Sequence, residues 1–193
     1  MCSLEIIEKF NALLTTEEAS QICNQFHSDG WQHGRQVMWS GVPRRLVQTW
    51  ADKHGMQTLT TVMGPLMVHN DSHCLWSRKS KQRWSKYMKG ASAMYAYHIA
   101  QNKEPVTVLS PPPPDQYNPY GGSNYQTLEE PILKGKLGPK VARIEMVHPT
   151  IPSAEEFHYQ IWPNDETFSW YENFGHPHPA THWRHVVARQ ALR

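Results

Sequence analysis

Residues 78–114 read RKSKQRWSKYMKGASAMYAYHIAQNKEPVTVLSPPPP, and this stretch limits the possible folds more than any other. Trp84, Met88, Ala91, Tyr95 and Ile99 recur every three or four positions. That spacing predicts one long helix with a buried face. Its middle, Gly90-Ala91-Ser92-Ala93, is small, so another backbone or a ligand can approach closely. Asn102-Lys103-Glu104-Pro105 should end it. Val106–Leu109 then reads as a core strand, and Pro111–Pro114 as a stiff extended wall beside a pocket.

The segments before it read as helical cover. Leu4, Ile7, Phe10 and Leu14 keep helical spacing. Thr15 and Glu18 form a capping box for a second helix, whose stripe is Ala19, Ile22, Cys23 and Phe26. Val37-Met38-Trp39 fits a short strand. Pro43 opens a third helix, which buries Leu46, Val47 and Trp50 and stops at His54-Gly55. Residues 56–67 are rich in threonine and favour a strand or tight loop over a helix. After the prolines, residues 141–147 alternate like a strand, residues 157–162 read as another, and residues 167–174 suit either strand or helix. The expected architecture is α+β: a helical N-terminal half packed on a small mixed or antiparallel sheet, in a single domain. Residues 1–55 are helical cover, 56–175 a site-bearing core, and 176–193 a C-terminal helix or tail carrying His176, His178, His182 and His185.

A chain of 193 residues suits one domain. Its net charge of +2 is too small for a general polyanion binder, so any nucleic-acid contact must be a local patch. Cys2, Cys23 and Cys74 are odd in number and widely spaced, which argues against a disulfide framework and for a reducing, cytoplasmic setting. No apolar run approaches the length of a membrane span, and the acidic N-terminal stretch lacks a leader's apolar core. His69 and His73 have the spacing of a helical metal pair, but Asn70-Asp71-Ser72 between them reads as a loop; no metal site and no cofactor are expected. Dinucleotide, P-loop and nucleophile-elbow motifs are missing.

The chemistry-bearing candidates fall into three groups. Arg78, Lys79, Lys81, Arg83, Lys86 and Lys89 are six cations with no acid between them, either a solvated face or a patch that tracks RNA phosphates. Glu129 and Glu130 are adjacent, so only one can point into a pocket, where it could bind a guanidinium or act as a base. Thr60, Thr61, Ser92 and Ser110 are candidate nucleophiles, the two serines also candidate substrate contacts, with His54 or His98 as base. A structural role is the ordinary reading of His98 near a helix C-terminus. Tyr117, Tyr120 and Tyr125, around Gly121-Gly122, form a loop that can close over a planar or extended ligand.

The blocks ADKHGMQTLTTVMGPLM, WSKYMKGASAMYAYHIA, VTVLSPPPP and YQTLEEPIL resemble those of the arginine-containing cyclodipeptide synthases, small proteins of fungal biosynthetic clusters, over about residues 50–150. The resemblance implies a transferase of secondary metabolism that takes amino acids from aminoacyl-tRNA, arginyl-tRNA included, and joins them into a cyclic dipeptide. It assigns no catalytic residue. The basic run would then meet tRNA, Glu129 or Glu130 the arginine side chain, and the tyrosine loop the second amino acid. Two other readings stay open: a tailoring enzyme acting on a free metabolite, and a non-catalytic RNA- or protein-binding module.

Overall fold

The computed structural model describes residues 3–117 and 122–175. The C-terminal segment 176–193 with its histidines, Tyr120, Gly121 and Cys2 lie outside them. The helices are α1 (Leu4–Glu8), α2 (Thr16–Phe26), α3 (Arg44–Lys53), α4 (Leu59–Met63), α5 (Lys81–Gln101), α6 (Glu130–Leu133) and α7 (Thr167–Phe174). The strands are β1 (Val37–Trp39), β2 (Val106–Leu109), β3 (Ile144–Val147) and β4 (His158–Trp162). The fold is α+β, with a four-stranded mixed sheet in the order β1-β2-β3-β4. β1, β2 and β3 run parallel, and β4 is antiparallel to β3.

Parallel neighbours need crossover connections. The first crossover is the run α3, α4, α5, and the second is residues 110–143 with α6. Alternation along the strands then divides the core between two faces. Met38, Val106, Val108, Ile144 and Met146 pack with α2, α4, α5 and α6. Val37, Leu109 and Val147 pack with Val47, Trp50 and Ala51 of α3. Helices therefore cover both faces, as a mostly parallel sheet requires.

α5 is the centre of the larger layer. From Gly90 to Ala100 every residue is buried, whereas the first two turns expose their cations. Gly90 is needed for close packing: a Cβ there would lie 2.3 Å from Leu14 Cγ.

Several local expectations need correction. Residues 1–55 supply the edge strand β1 as well as helical cover. α1 stops at Glu8, and Phe10 and Leu14 are buried from the turns that follow. Residues 59–63 are helical despite their β-branched content, because the Thr58 side chain accepts the Thr61 amide at 3.3 Å and caps the turn. The Gly64–Met67 segment continues as a 3-10 turn with Pro65 in its first positions. Residues 167–174 are a helix. Cys74 is free and buried. Among the described residues no helix is long and apolar enough to cross a membrane.

Candidate functional site

In parallel sheets, chemistry gathers beyond the carboxyl ends of the strands. Ser40, Ser110 and His148 are the first residues past β1, β2 and β3. The Ser40 amide donates to Leu109 O at 3.0 Å and the Ser110 amide to Val147 O at 3.1 Å, so both positions are fixed by the sheet. A cavity of about 260 Å³ opens beside Ser40. Its walls come from β1 and the turn after it, from Met88, Ser92 and Tyr95 of α5, and from Ser123, Tyr125 and Glu129.

Residues Tyr125–Glu129 form one turn of π-helix ahead of α6, closed by the Glu130 amide donating to Tyr125 O. Such turns are rare and gather at functional sites. This one turns Tyr125 and Glu129 inward and leaves Glu130 outside. Glu130 pairs with Lys134 at 2.7 Å, one helical turn on. Of the two glutamates, only Glu129 faces the cavity.

Glu129 is the most unusual ionisable group there. It is buried, it accepts a hydrogen bond from the Ser92 hydroxyl, and it has no ion pair among the described residues. Burial pushes its carboxyl up to about 8. Tyr125 Oη is also buried and has no hydrogen-bond partner among the described residues. Burial raises its phenol well above the ordinary tyrosine range, so it stays a neutral donor. A buried hydroxyl with no partner among the described residues, in the same cavity as a buried carboxyl bonded only by Ser92, marks a place that a polar ligand can complete. Ser40 Oγ and Ser123 Oγ, in the lining of the same cavity, share a hydrogen bond of 2.6 Å.

The turn carrying Ser40 has no slack. Gly41 has φ +74°, and a Cβ there would lie 1.8 Å from Tyr117 O. Ser110 anchors the same region: its hydroxyl donates to Pro111 O at 3.0 Å and accepts the Tyr117 amide at 2.6 Å. The Tyr117 ring stacks on Tyr125, with centroids 5.7 Å apart. Ser110 and Tyr117 thus support the cavity wall without lining it. The prolines also stand behind the wall, with Pro111 against Gly41.

Four sequence candidates lie elsewhere. Thr60 accepts from Arg44 and Thr61 from Gln48, both where α4 meets α3. His54 stacks on Trp50 and bonds Glu156 at 3.0 Å, in a different depression. His98 is packed by Phe26, His27 and Trp31 around a cleft of its own. Burial, helped by the neighbouring His27, lowers it to about 4. None of these side chains lines the cavity of Glu129, so none serves there as nucleophile or base. The polar partners missed from sequence are Ser40 and Ser123. The one visible hint was Ser40-Gly41 directly after the strand reading of Val37–Trp39.

The cationic group divides. Lys79 is ion-paired with Glu18 and lies over the Tyr87 ring, so it is not free for a phosphate. Arg78, Lys81, Arg83, Lys86 and Lys89 are exposed and make no ion pair among the described residues. Arg83 and Lys86 border a separate cleft against Leu14 and Glu18.

Fold and site together define a class: an α+β domain with a small polar-ended cavity at the carboxyl edge of a parallel sheet, reached along a cationic helix. Comparison with known proteins adds no narrower assignment, since no family model matches and no curated protein matches significantly.

Proposed function

We propose that the protein is an acyltransferase that accepts an aminoacyl group from aminoacyl-tRNA onto Ser40 and releases an arginine-containing cyclic dipeptide. The observation that carries this reading is the presence of a strand-end hydroxyl, Ser40, and a buried carboxyl, Glu129, in the lining of one cavity.

An aminoacyl ester is already activated, so positioning supplies much of the rate. Ser40 Oγ attacks the ester carbonyl. A new ester bond forms, the bond to the ribose oxygen breaks, and the serine proton ends on the released ribose hydroxyl. Ser123, within 2.6 Å of Ser40 Oγ, is placed to relay that proton. The α-amine of a second aminoacyl group must then lose a proton to attack. An α-amino group titrates at about 7.7–8.0, close to the carboxyl of Glu129 at about 8. Transfer between matched groups is nearly thermoneutral, the best case for general acid–base catalysis. This match favours the α-amine, rather than a guanidinium, as the partner of Glu129. The freed amine attacks the Ser40 ester: a peptide bond forms, the bond to Ser40 Oγ breaks, the serine regains a proton, and a dipeptidyl-tRNA remains. Its terminal amine then attacks the remaining ester, closing the ring as the bond to the ribose oxygen breaks and that oxygen takes the amine proton.

Ser92 is a weaker choice of acceptor. Its hydroxyl is already donated to Glu129 from mid-helix. A tailoring enzyme acting on a free metabolite would use the same cavity without the exposed cations of α5. Charge reversal at Lys81 and Lys89 separates the two readings, since only the tRNA-dependent reaction should fall.

Mass spectrometry of extracts from expressing cells tests the proposal. A new arginine-containing cyclic dipeptide should appear with the intact protein and vanish with Ser40→Ala. No new product, or full yield from Ser40→Ala, overturns it.

A further inference from the structure

Among the described residues the large exposed aromatics are Trp76 and Phe168. Trp76 is 46% exposed. Two rings nevertheless fix it. His69 lies edge-on at 5.2 Å and Trp84 edge-on at 5.0 Å between centroids. Trp84 in turn leans on the buried Tyr87 at 5.2 Å. A large side chain held by its neighbours before binding loses little entropy on contact. Two exposed cations lie near it in the chain, with no ion pair among the described residues: Arg78 two positions on, and Lys81 at the start of α5.

The direction of the helix gives this ring a purpose. Lys81, Trp84, Met88 and Ser92 are spaced by three, four and four positions and so share one face of α5. Met88 and Ser92 line the cavity. Trp84 and Ser92 are eight residues apart, about 12 Å along the axis. Stacked nucleotides advance about 3.4 Å each along a strand, so three or four of them cover that distance.

We infer that Trp76, backed by Trp84, is a stacking platform for the unpaired 3′ nucleotides of an RNA, with Arg78 and Lys81 holding their phosphates. This inference rests on the acyl-transfer reading and deepens it: the platform sets the terminal ribose at the mouth of the cavity. A single strand suits the surface better than a duplex, because an aromatic face stacks an open base and cannot enter a paired one.

The test is a fluorescence titration of the full chain with a labelled seven-nucleotide single-stranded RNA ending in CCA. A blunt duplex RNA serves as the control probe. Trp76→Ala should weaken single-strand binding about tenfold, the usual scale for loss of one stacked base. Trp76→Phe should restore most of it, and the duplex should bind both variants equally. Arg78→Ala should instead reduce the salt dependence of binding. Unchanged single-strand affinity in Trp76→Ala overturns the inference. So does an equal loss for duplex and single strand. A loss of self-association with RNA binding intact also overturns it, by making Trp76 a protein contact. The probe carries no acyl group, so this result is independent of Ser40. A chain that binds the strand through Trp76 but forms no product keeps the platform and loses the synthase.

Discussion

Glu129 holds the most information of any single residue. Its carboxyl is raised to about 8 by burial alone, with no cation beside it. A carboxyl that stays protonated in the folded chain but ionises when unfolded stabilises the fold fully only at low pH. That stability is lost as pH climbs from the unfolded value near 4.5 to about 8. Glu129→Gln keeps the shape and removes the titration. The variant should therefore be more stable than the parent near pH 8, by on the order of 4 kcal/mol, while product formation falls at least tenfold. Glu130→Gln should alter both far less, since Glu130 lies outside the cavity and pairs with Lys134 one helical turn on. Urea midpoints at pH 5 and pH 8 check the first statement, and product yields the second. Equal midpoint shifts at the two pH values would show that the Glu129 carboxyl is not raised.

Among the elements, α5 was the most legible from sequence. Its apolar spacing, small middle and terminator gave its course, and the strand after it followed from β-branched residues between a proline and a serine. The capping box at Thr15 and Glu18 is present as read. α4 was misread because threonine content was weighed without its cap. The Thr58 hydroxyl at the start of the run outweighs the weak β preference of two threonines. The π-turn at Tyr125–Glu129 was not legible, since it differs from an ordinary helix by one inserted residue and no composition marks it. That turn decides which glutamate faces inward. Ser40 was missed for a related reason: a serine after a strand becomes notable only when sheet order brings it into the same cavity lining as Glu129. The packing of α5 gives a sharp test. Gly90→Ala should destabilise by about 1–2 kcal/mol, because the new methyl meets Leu14. In a Leu14→Ala background the same change should stabilise by up to about 1 kcal/mol, as alanine is the better helix former. Thermal unfolding of the four proteins reads the reversal; an unchanged sign means Leu14 is not the obstacle.

At the scale of the whole molecule, three buried groups set the pH response. His98 and His148 are both lowered to about 4 by burial. His148 donates from Nδ1 to Ser110 O and accepts the Tyr159 hydroxyl at Nε2, each at 2.9 Å, which suits the neutral ring. Both histidines bind protons more readily when unfolded, so stability falls as pH drops from about 6.5 towards 4. Glu129 acts in the opposite direction, but two histidines outweigh one carboxyl below pH 6.5. Above it only Glu129 remains in play. Stability should therefore peak near pH 6.5, and Glu129→Gln should flatten the alkaline side and steepen the acid side above about pH 4.5. Urea unfolding from pH 4 to 9 follows the curve, and a parent curve flat from pH 6.5 to 8 would contradict it. The central claim concerns the cavity that these layers enclose. Its most direct test is the intact mass of the protein, quenched soon after mixing with arginyl-tRNA and the companion aminoacyl-tRNAs of a cell extract. The account predicts one added aminoacyl group, mapped to Ser40 and absent from Ser40→Ala. An unmodified chain, or an adduct that survives Ser40→Ala, would contradict it.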